Sequence, residues 1–258
     1  MQPIDQLVTI LLPVRNAEAT LRQCLESLLS QTYQNIEIIA IDDKSKDKTY
    51  SILRQFRRKD KRLQISRNVK HYGLQVTLNR ALKKARGSYL AFMNQNDLLT
   101  PDKIKRQVYY LKRHPKVVAL GTQTTFTSDN AQVIAKSEFP TDHDPITKTF
   151  LTSDALQLES MMINRYLIPR DLLKFENQKY PLLYRSLITK LLPYGSFANL
   201  NQHLYVRTRV SGKYTSKKVQ ALNHFSLWFR ARFVHGTGIS WNSLFYPVNS
   251  RVKSSLSS

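Results

Sequence analysis

Apolar positions in this chain alternate between two rhythms from the start. Residues 7–14, LVTILLPV, form a nearly unbroken apolar run of strand length, as expected for a strand covered on both faces. Pro13, Arg15 and Asn16 close that run. Leu21, Cys24, Leu25, Leu28 and Leu29 then recur at 3.6-residue spacing, which predicts a helix with one core-facing stripe and Asn16 as its N-cap. A second apolar run at 36–41 predicts another strand, ending on Asp42 and Asp43. Such a strand-helix-strand unit is right-handed and parallel, so residues 13–16 should emerge beside Asp42 and Asp43 at the carboxyl edge of the sheet. Open α/β sheets bind ligands at that edge.

The same alternation continues. Asp47 is placed to cap a helix over 50–57 with Ile52, Leu53 and Phe56 inward, and residues 63–66 read as a third strand. Gly73 opens a helix carrying Leu74, Leu78, Ala81, Leu82 and Ala85 on one face, Gly87 is expected to end it at C′, and 89–93 read as a strand. Thr100 followed by Pro101 is a helix start, with Ile104, Val108 and Leu111 turned to the core. Residues 117–121 read as another strand. Alternating threonines and apolar residues over 122–144 predict a hairpin or irregular strands.

Two blocks carry a resemblance. PVRNAEATLRQCLESLLSQTYQNIEIIAIDDKSKDKT resembles the amino-terminal signature of family 2 glycosyltransferases: Pro13, Asn16, Leu21, Leu25, Ser27, Leu28, Gln31, Thr32, Tyr33, Glu37, Asp42, Asp43, Ser45, Asp47 and Thr49 match its pattern. NVKHYGLQVTLNRALKKARGSYLAFMNQND is similar to the family's next block, and LQLESMMINRYLI to a segment in which a strand closes the acceptor side. The stretch from Glu176 on, ENQKYPLLYRSLITKLLPYGSFANLNQHLYVRTR, resembles a further helix and strand, so the likeness covers about residues 7–210. It implies an α/β A-type glycosyltransferase (Rossmann-like) fold with a mostly parallel central sheet flanked by helices. The implied activity is transfer of a sugar from a nucleotide donor, by analogy UDP-linked, to a saccharide or lipid-linked acceptor in cell-envelope glycan synthesis. Carried over by position, Asp42 accepts a hydrogen bond from the nucleobase with its carboxylate toward the cleft, Asp43 lies beside it, and Pro13, Arg15 and Asn16 line the same pocket.

The chain departs from the family where charge matters most. Asn94 and Asn96 stand on the two acids of the family's Asp-x-Asp motif, which holds Mg²⁺ or Mn²⁺, and Asp97 stands on the acid that follows. Neutral amides are poor ligands for hard divalent ions. Asn96 and Asp97 are therefore weak metal candidates, and donor binding is expected to be nearly metal-independent. Lys179 occupies the general-base position, and a protonated lysine accepts no proton at neutral pH unless its pKa falls by several units. Glu176, three residues earlier, is the alternative base. Leu78 replaces an arginine that the family often uses. A catalytically silent binding or partner module on the same fold is the competing reading.

Composition adds a partner class. Forty Lys and Arg against 18 Asp and Glu give a formal charge of +22, which favours an anionic partner or reflects a solvated basic surface. No nucleic-acid-binding motif accompanies the charge, so a nucleic acid is not expected. Cys24 is the only cysteine, which excludes a disulfide within the chain and a cysteine-based metal cluster. The amino-terminal MQPIDQ lacks a signal-peptide pattern, and no run approaches a membrane span, so a cytoplasmic protein is expected. The expected division is a glycosyltransferase-like domain over 1–215, a basic aromatic helical extension over 216–248 suited to an anionic membrane, and a disordered tail over 249–258.

Overall fold

The computed structural model of the chain describes residues 6–149, 155–176, 182–208 and 252–254. Strands β1 (Val8–Val14), β2 (Ile36–Asp42), β3 (Leu63–Arg67) and β4 (Tyr89–Phe92) pair in parallel in the order β3-β2-β1-β4. Helices α1 (Leu21–Leu29), α2 (Thr49–Lys59) and α3 (Leu74–Lys84) make the crossovers. Short β5 (Leu98–Leu99) and α4 (Lys103–Arg113) follow, then β6 (Val117–Thr127), β7 (Val133–Ser137) and α5 (His143–Thr149). After them come β8 (Met162–Asn164), α6 (Leu182–Leu191), β9 (Ser196–Thr208) and β10 (Val252–Ser254). β8 runs antiparallel between β4 and β6; β9 runs parallel to β6 and antiparallel to β5.

Strand alternation sorts the core into two layers. Val8, Ile10, Leu12 and Val14 point one way, against Leu21, Cys24, Leu25 and Leu28 of α1, Ile52 and Leu53 of α2 and Ile104, Val108 and Leu111 of α4. Leu11, Ile39 and Ile41 point the other way, against Leu78 and Ala81 of α3, Ile146 of α5 and Leu187, Ile188 and Leu191 of α6. Both faces of the parallel strands are thus covered, the condition under which strands read as unbroken apolar runs.

Two local expectations are corrected. Asn16 is not the N-cap of α1. Thr20 holds that place, while Asn16 adopts a positive φ of 48° and its Oδ1 accepts from Lys46 N at 2.9 Å. Asparagine tolerates the left-handed region, and here it lets the chain leave β1 and bond the loop after β2. Gly87 is not a helix terminator either: α3 ends at Lys84 with Ala85 as C-cap. A Cβ on Gly87 would stand 2.6 Å from Thr9 N and 2.8 Å from Leu7 O, so glycine is required there by its approach to β1. Gly73 does open α3, at φ 87°. Within 122–144, expected as a hairpin or irregular strands, residues 122–127 extend β6 and pair with β7 as a hairpin.

Candidate donor site at the carboxyl edge

The ends of β1 and β2 lie side by side, with Val14 paired to Asp42 and Asp43 N donating to Val14 O at 2.8 Å. The loop after β2 is stitched to the loop after β1: Asn16 N donates to Ser45 Oγ at 3.0 Å, Ala17 N to Thr49 Oγ1 at 2.7 Å and Glu18 N to Asp47 Oδ2 at 3.0 Å. Asp47 also accepts from Thr49 N at 3.0 Å, but the N-cap of α2 is Lys48, so Asp47 stands one residue before the cap expected of it. The turn after β4 closes on the same loop. Gln95 clamps Arg15 from both sides, its Oε1 accepting from Arg15 N at 2.6 Å and its Nε2 donating to Arg15 O at 3.0 Å. Backbone of residues 13–16, the two aspartates and the turn at 94–96 are therefore brought to one edge.

Within this edge the aspartates differ from the expected orientation. Asp42 is 0% exposed and turned inward. Its carboxylate accepts from Ser45 N at 3.1 Å and from Ser45 Oγ, and pairs with Arg67 Nε at 2.8 Å. Arg67 also donates to Ser45 O at 2.6 Å and lies over the Tyr50 ring at 5.1 Å. Asp43 accepts from Asn68 Nδ2 at 2.7 Å, Tyr72 N at 2.9 Å and Gly73 N at 2.8 Å, with His71 Nδ1 2.6 Å from its other face. Burial pushes the Asp43 pKa upward, but the bonds from Tyr72, Asn68, Gly73 and His71 outweigh it and hold the acid below the usual carboxylate range. His71 is about half-exposed, so this second aspartate, like Asp42 through Arg67, is linked to the surface by its partner. Arg80 donates to Asn68 Oδ1 and stacks 4.2 Å from the Tyr72 ring, while Leu78 is buried in the core. Arg67, Asn68 and His71 were not legible as site residues: Arg67 ends β3, and Asn68 and His71 stand in the polar stretch that follows, which carries no periodicity.

The turn after β4 does not offer a metal-binding donor set. Asn94 Oδ1 accepts from Asn96 N at 3.0 Å, and Asn96 Oδ1 accepts from Thr20 Oγ1 at 2.8 Å. Asp97 faces away into the core, its oxygens accepting from Tyr205 Oη at 2.7 Å and Thr208 N at 3.2 Å. Burial pushes its pKa up to about 7 despite the Tyr205 bond and the nearby Arg207 charge. The metal assignment to Asp97 is thus corrected by the strand that captures it, and Asn96 is left with one engaged amide oxygen. Among the described residues no group of three His, Cys, Asp or Glu side chains is placed to hold a metal. These residues do not fit a divalent ion. Glu176 pairs with Lys190 Nζ at 2.7 Å. Lys179 and the extension over 216–248 lie outside the described residues. Among the described residues no helix is long and apolar enough to cross a membrane.

A parallel β3-β2-β1-β4 core, an antiparallel β8 insertion and a carboxyl-edge cleft flanked by a turn after β4 define an A-type glycosyltransferase fold. The model of glycosyl transferase family 2 matches residues 9–170, and the chain belongs to that family. An uncharacterized glycosyltransferase of Haemophilus influenzae is 31% identical over 67% of this chain and 68% of its own length. The Escherichia coli UDP-Glc:alpha-D-GlcNAc-diphosphoundecaprenol beta-1,3-glucosyltransferase WfaP is 38% identical, over 42% of each chain. Among solved structures, S. aureus TarS 1-349 in complex with UDP-GlcNAc superposes with a TM-score of 0.67 at 19% identity, covering 89% of this chain and 68% of that one. The Pyrobaculum calidifontis mannosyltransferase PcManGT in complex with GDP-Man and Mn²⁺ gives 0.62 at 16% identity, covering 88% and 65%.

Proposed function

We propose that this chain transfers a sugar from a UDP-linked donor to a saccharide or lipid-linked acceptor in cell-envelope glycan synthesis. The observation that carries the reading is the convergence of residues 13–16, the Asp43 cluster and the turn at 94–96 on one edge of a family 2 fold. Two of the similar proteins support the donor and acceptor class: WfaP by its name moves glucose from UDP-Glc to a GlcNAc-diphosphoundecaprenol, and TarS 1-349 was solved with UDP-GlcNAc. Asp42 and Arg67 fix the floor beneath the nucleoside, and Asp43 with His71 presents the polar edge that a base reads by hydrogen bonding. Asn94 and Asn96 supply neutral amides where relatives concentrate negative charge. The leaving diphosphate is therefore balanced by cationic side chains of this basic chain, and donor binding is nearly indifferent to Mn²⁺.

Calorimetric titration with UDP, UDP-glucose and UDP-GlcNAc, each with and without Mn²⁺, tests this. Saturable UDP binding, changed less than about tenfold by the ion, is expected; a tenfold change is about 1.4 kcal/mol. Absence of UDP binding would remove the donor-site assignment. UDP binding without turnover of any UDP-sugar would instead identify a silent module.

A further inference from the structure

We propose that Gln157 and Glu159 form a sugar-hydroxyl subsite on the β6–β9 side of the cleft, a deepening that rests on the glycosyl-transfer reading above. Met162 pairs with Ala91, so the single turn at Leu158–Ser160 sits just past the carboxyl end of β4. On this turn and just before it stand two polar side chains, Gln157 at 6% and Glu159 at 4% exposure. Among the described residues, Gln157 Nε2 and Glu159 Oε1 are buried and have no hydrogen-bond partner. One is an orphan donor, the other an orphan acceptor. Leaving either so costs the full desolvation of the group, and the cost is greatest for a charged one.

Both side chains converge on one face of the β6–β9 ribbon. Gln157 Oε1 accepts from Thr124 Oγ1 at 2.7 Å, and Thr124 is paired across the ribbon with Tyr205. Glu159 acts electrostatically on Tyr205 and on Asp97, and its Oε2 lies 3.8 Å from Arg207 Nη1. Arg207 is paired with Phe126, two residues beyond the Thr124 and Tyr205 pair, and so shares their face. A hydroxyl is at once donor and acceptor. Hydroxyls of one sugar ring can donate to Glu159 Oε1 and accept from Gln157 Nε2, which an apolar group cannot do. A pyranose, with several hydroxyls on a rigid ring, suits this pair. Both orphan atoms are shielded from solvent, so a sugar reaches them only when a covering side chain shifts.

Glu159 also stands apart from the other acids at this edge. Among the described residues, Asp42, Asp43 and Asp97 each accept at least two hydrogen bonds there, whereas one oxygen of Glu159 accepts none. The hydroxyl comes from the donor sugar or from the acceptor, and the two sources are separable. Glu159→Gln and Gln157→Met keep side-chain shape while removing charge or donor. Calorimetry with UDP, UDP-glucose and UDP-GlcNAc is run beside saturation-transfer NMR with methyl glucoside and methyl N-acetylglucosaminide in the presence of UDP, with circular dichroism confirming the fold.

UDP affinity should be unchanged in both variants. If the donor sugar is read, UDP-sugar affinity falls roughly tenfold or more, the loss of a charged hydrogen bond. If the acceptor is read, UDP-sugar affinity holds while the glycoside signal disappears. If both readouts match the unaltered protein, or only the melting temperature moves, the pair is a structural feature and the proposal is overturned. Failure of the unaltered protein to bind UDP is a different result, one that sinks the transferase reading itself.

Discussion

Replacing Asp97 with asparagine should flatten a pH dependence that this carboxylate imposes on folding. Burial takes the acid out of water and raises its pKa from 3.8 to about 7, and the bond from Tyr205 and the field of Arg207 only partly oppose this. Between those values the unfolded chain has released a proton that the folded chain retains. The contribution of Asp97 to stability is therefore full below about pH 4, falls as pH rises through about 7, and is level above. Within the window the slope approaches about 1.4 kcal/mol per pH unit, so the whole span is about 4 kcal/mol. Asparagine preserves the contacts: its carbonyl oxygen still accepts from Thr208 N, and the Tyr205 hydroxyl turns to accept from the amide. Urea unfolding of both proteins from about pH 5 to about pH 8 measures the effect. The stability difference in favour of Asp97→Asn should grow up to about pH 7 and then hold. A difference independent of pH would refute the argument, because Asp97 would then be ionised in the folded protein throughout.

Lys103 is the converse case: burial pulls its pKa down to about 7, so its contribution is lost as pH falls from the free-lysine range through 7, and Lys103→Met should stabilise by about 1–4 kcal/mol at neutral pH, less near pH 10. An unchanged midpoint in urea at neutral pH counts against this. Asp42→Ala should cost roughly 1.5–3 kcal/mol of stability, because Arg67 and Ser45 lose their shared acceptor, and should weaken UDP binding through the displaced loop; unaltered UDP affinity in the folded variant removes Asp42 from the site. Asn94→Asp combined with Asn96→Asp should create Mn²⁺-dependent UDP binding, read by calorimetry; no gain with the ion shows that charge at the turn is not what limits metal affinity. Gly87→Ala should destabilise by about 1–3 kcal/mol, since its Cβ meets the β1 backbone, and a melting temperature equal to the parent's would contradict the contact geometry.

The parallel half of the fold was legible because its strands are covered on both faces, so that β1 and β2 appear as unbroken apolar runs, and α1 and α4 show their stripes. The same pattern places residues 13–16 beside Asp42 and Asp43. What could not be read was how those acids are held. Asp42 turns inward because Arg67 and Ser45 reach it, and Asp97 because Tyr205 lies 108 positions away in sequence and adjacent in space. The carboxyl half of β6 was legible only as a hairpin or irregular strands, for a related reason. Its residues Thr122, Gln123 and Thr124 are polar yet buried, satisfied by Ser160, Ser137, Phe139 and Gln157 from separate segments. Periodicity reports apolar faces and is blind to such satisfied polar interiors. Glu37 illustrates the opposite trap. It matches the family signature, yet its carboxylate binds Thr9 and Arg86 and serves the packing of β1 and β2.

The embrace of Asp43 by Tyr72 N and Gly73 N bears on where a phosphate can settle. These amides precede the first turn of α3, where a helix concentrates roughly half a positive charge and usually welcomes an anion. An internal carboxylate already occupies that position and neutralises it. The dipole of α3 is consequently spent on holding the fold together, and a diphosphate arriving at this edge has to find its countercharge in side chains, which makes its binding sensitive to ionic strength in a way that a backbone cradle would not be.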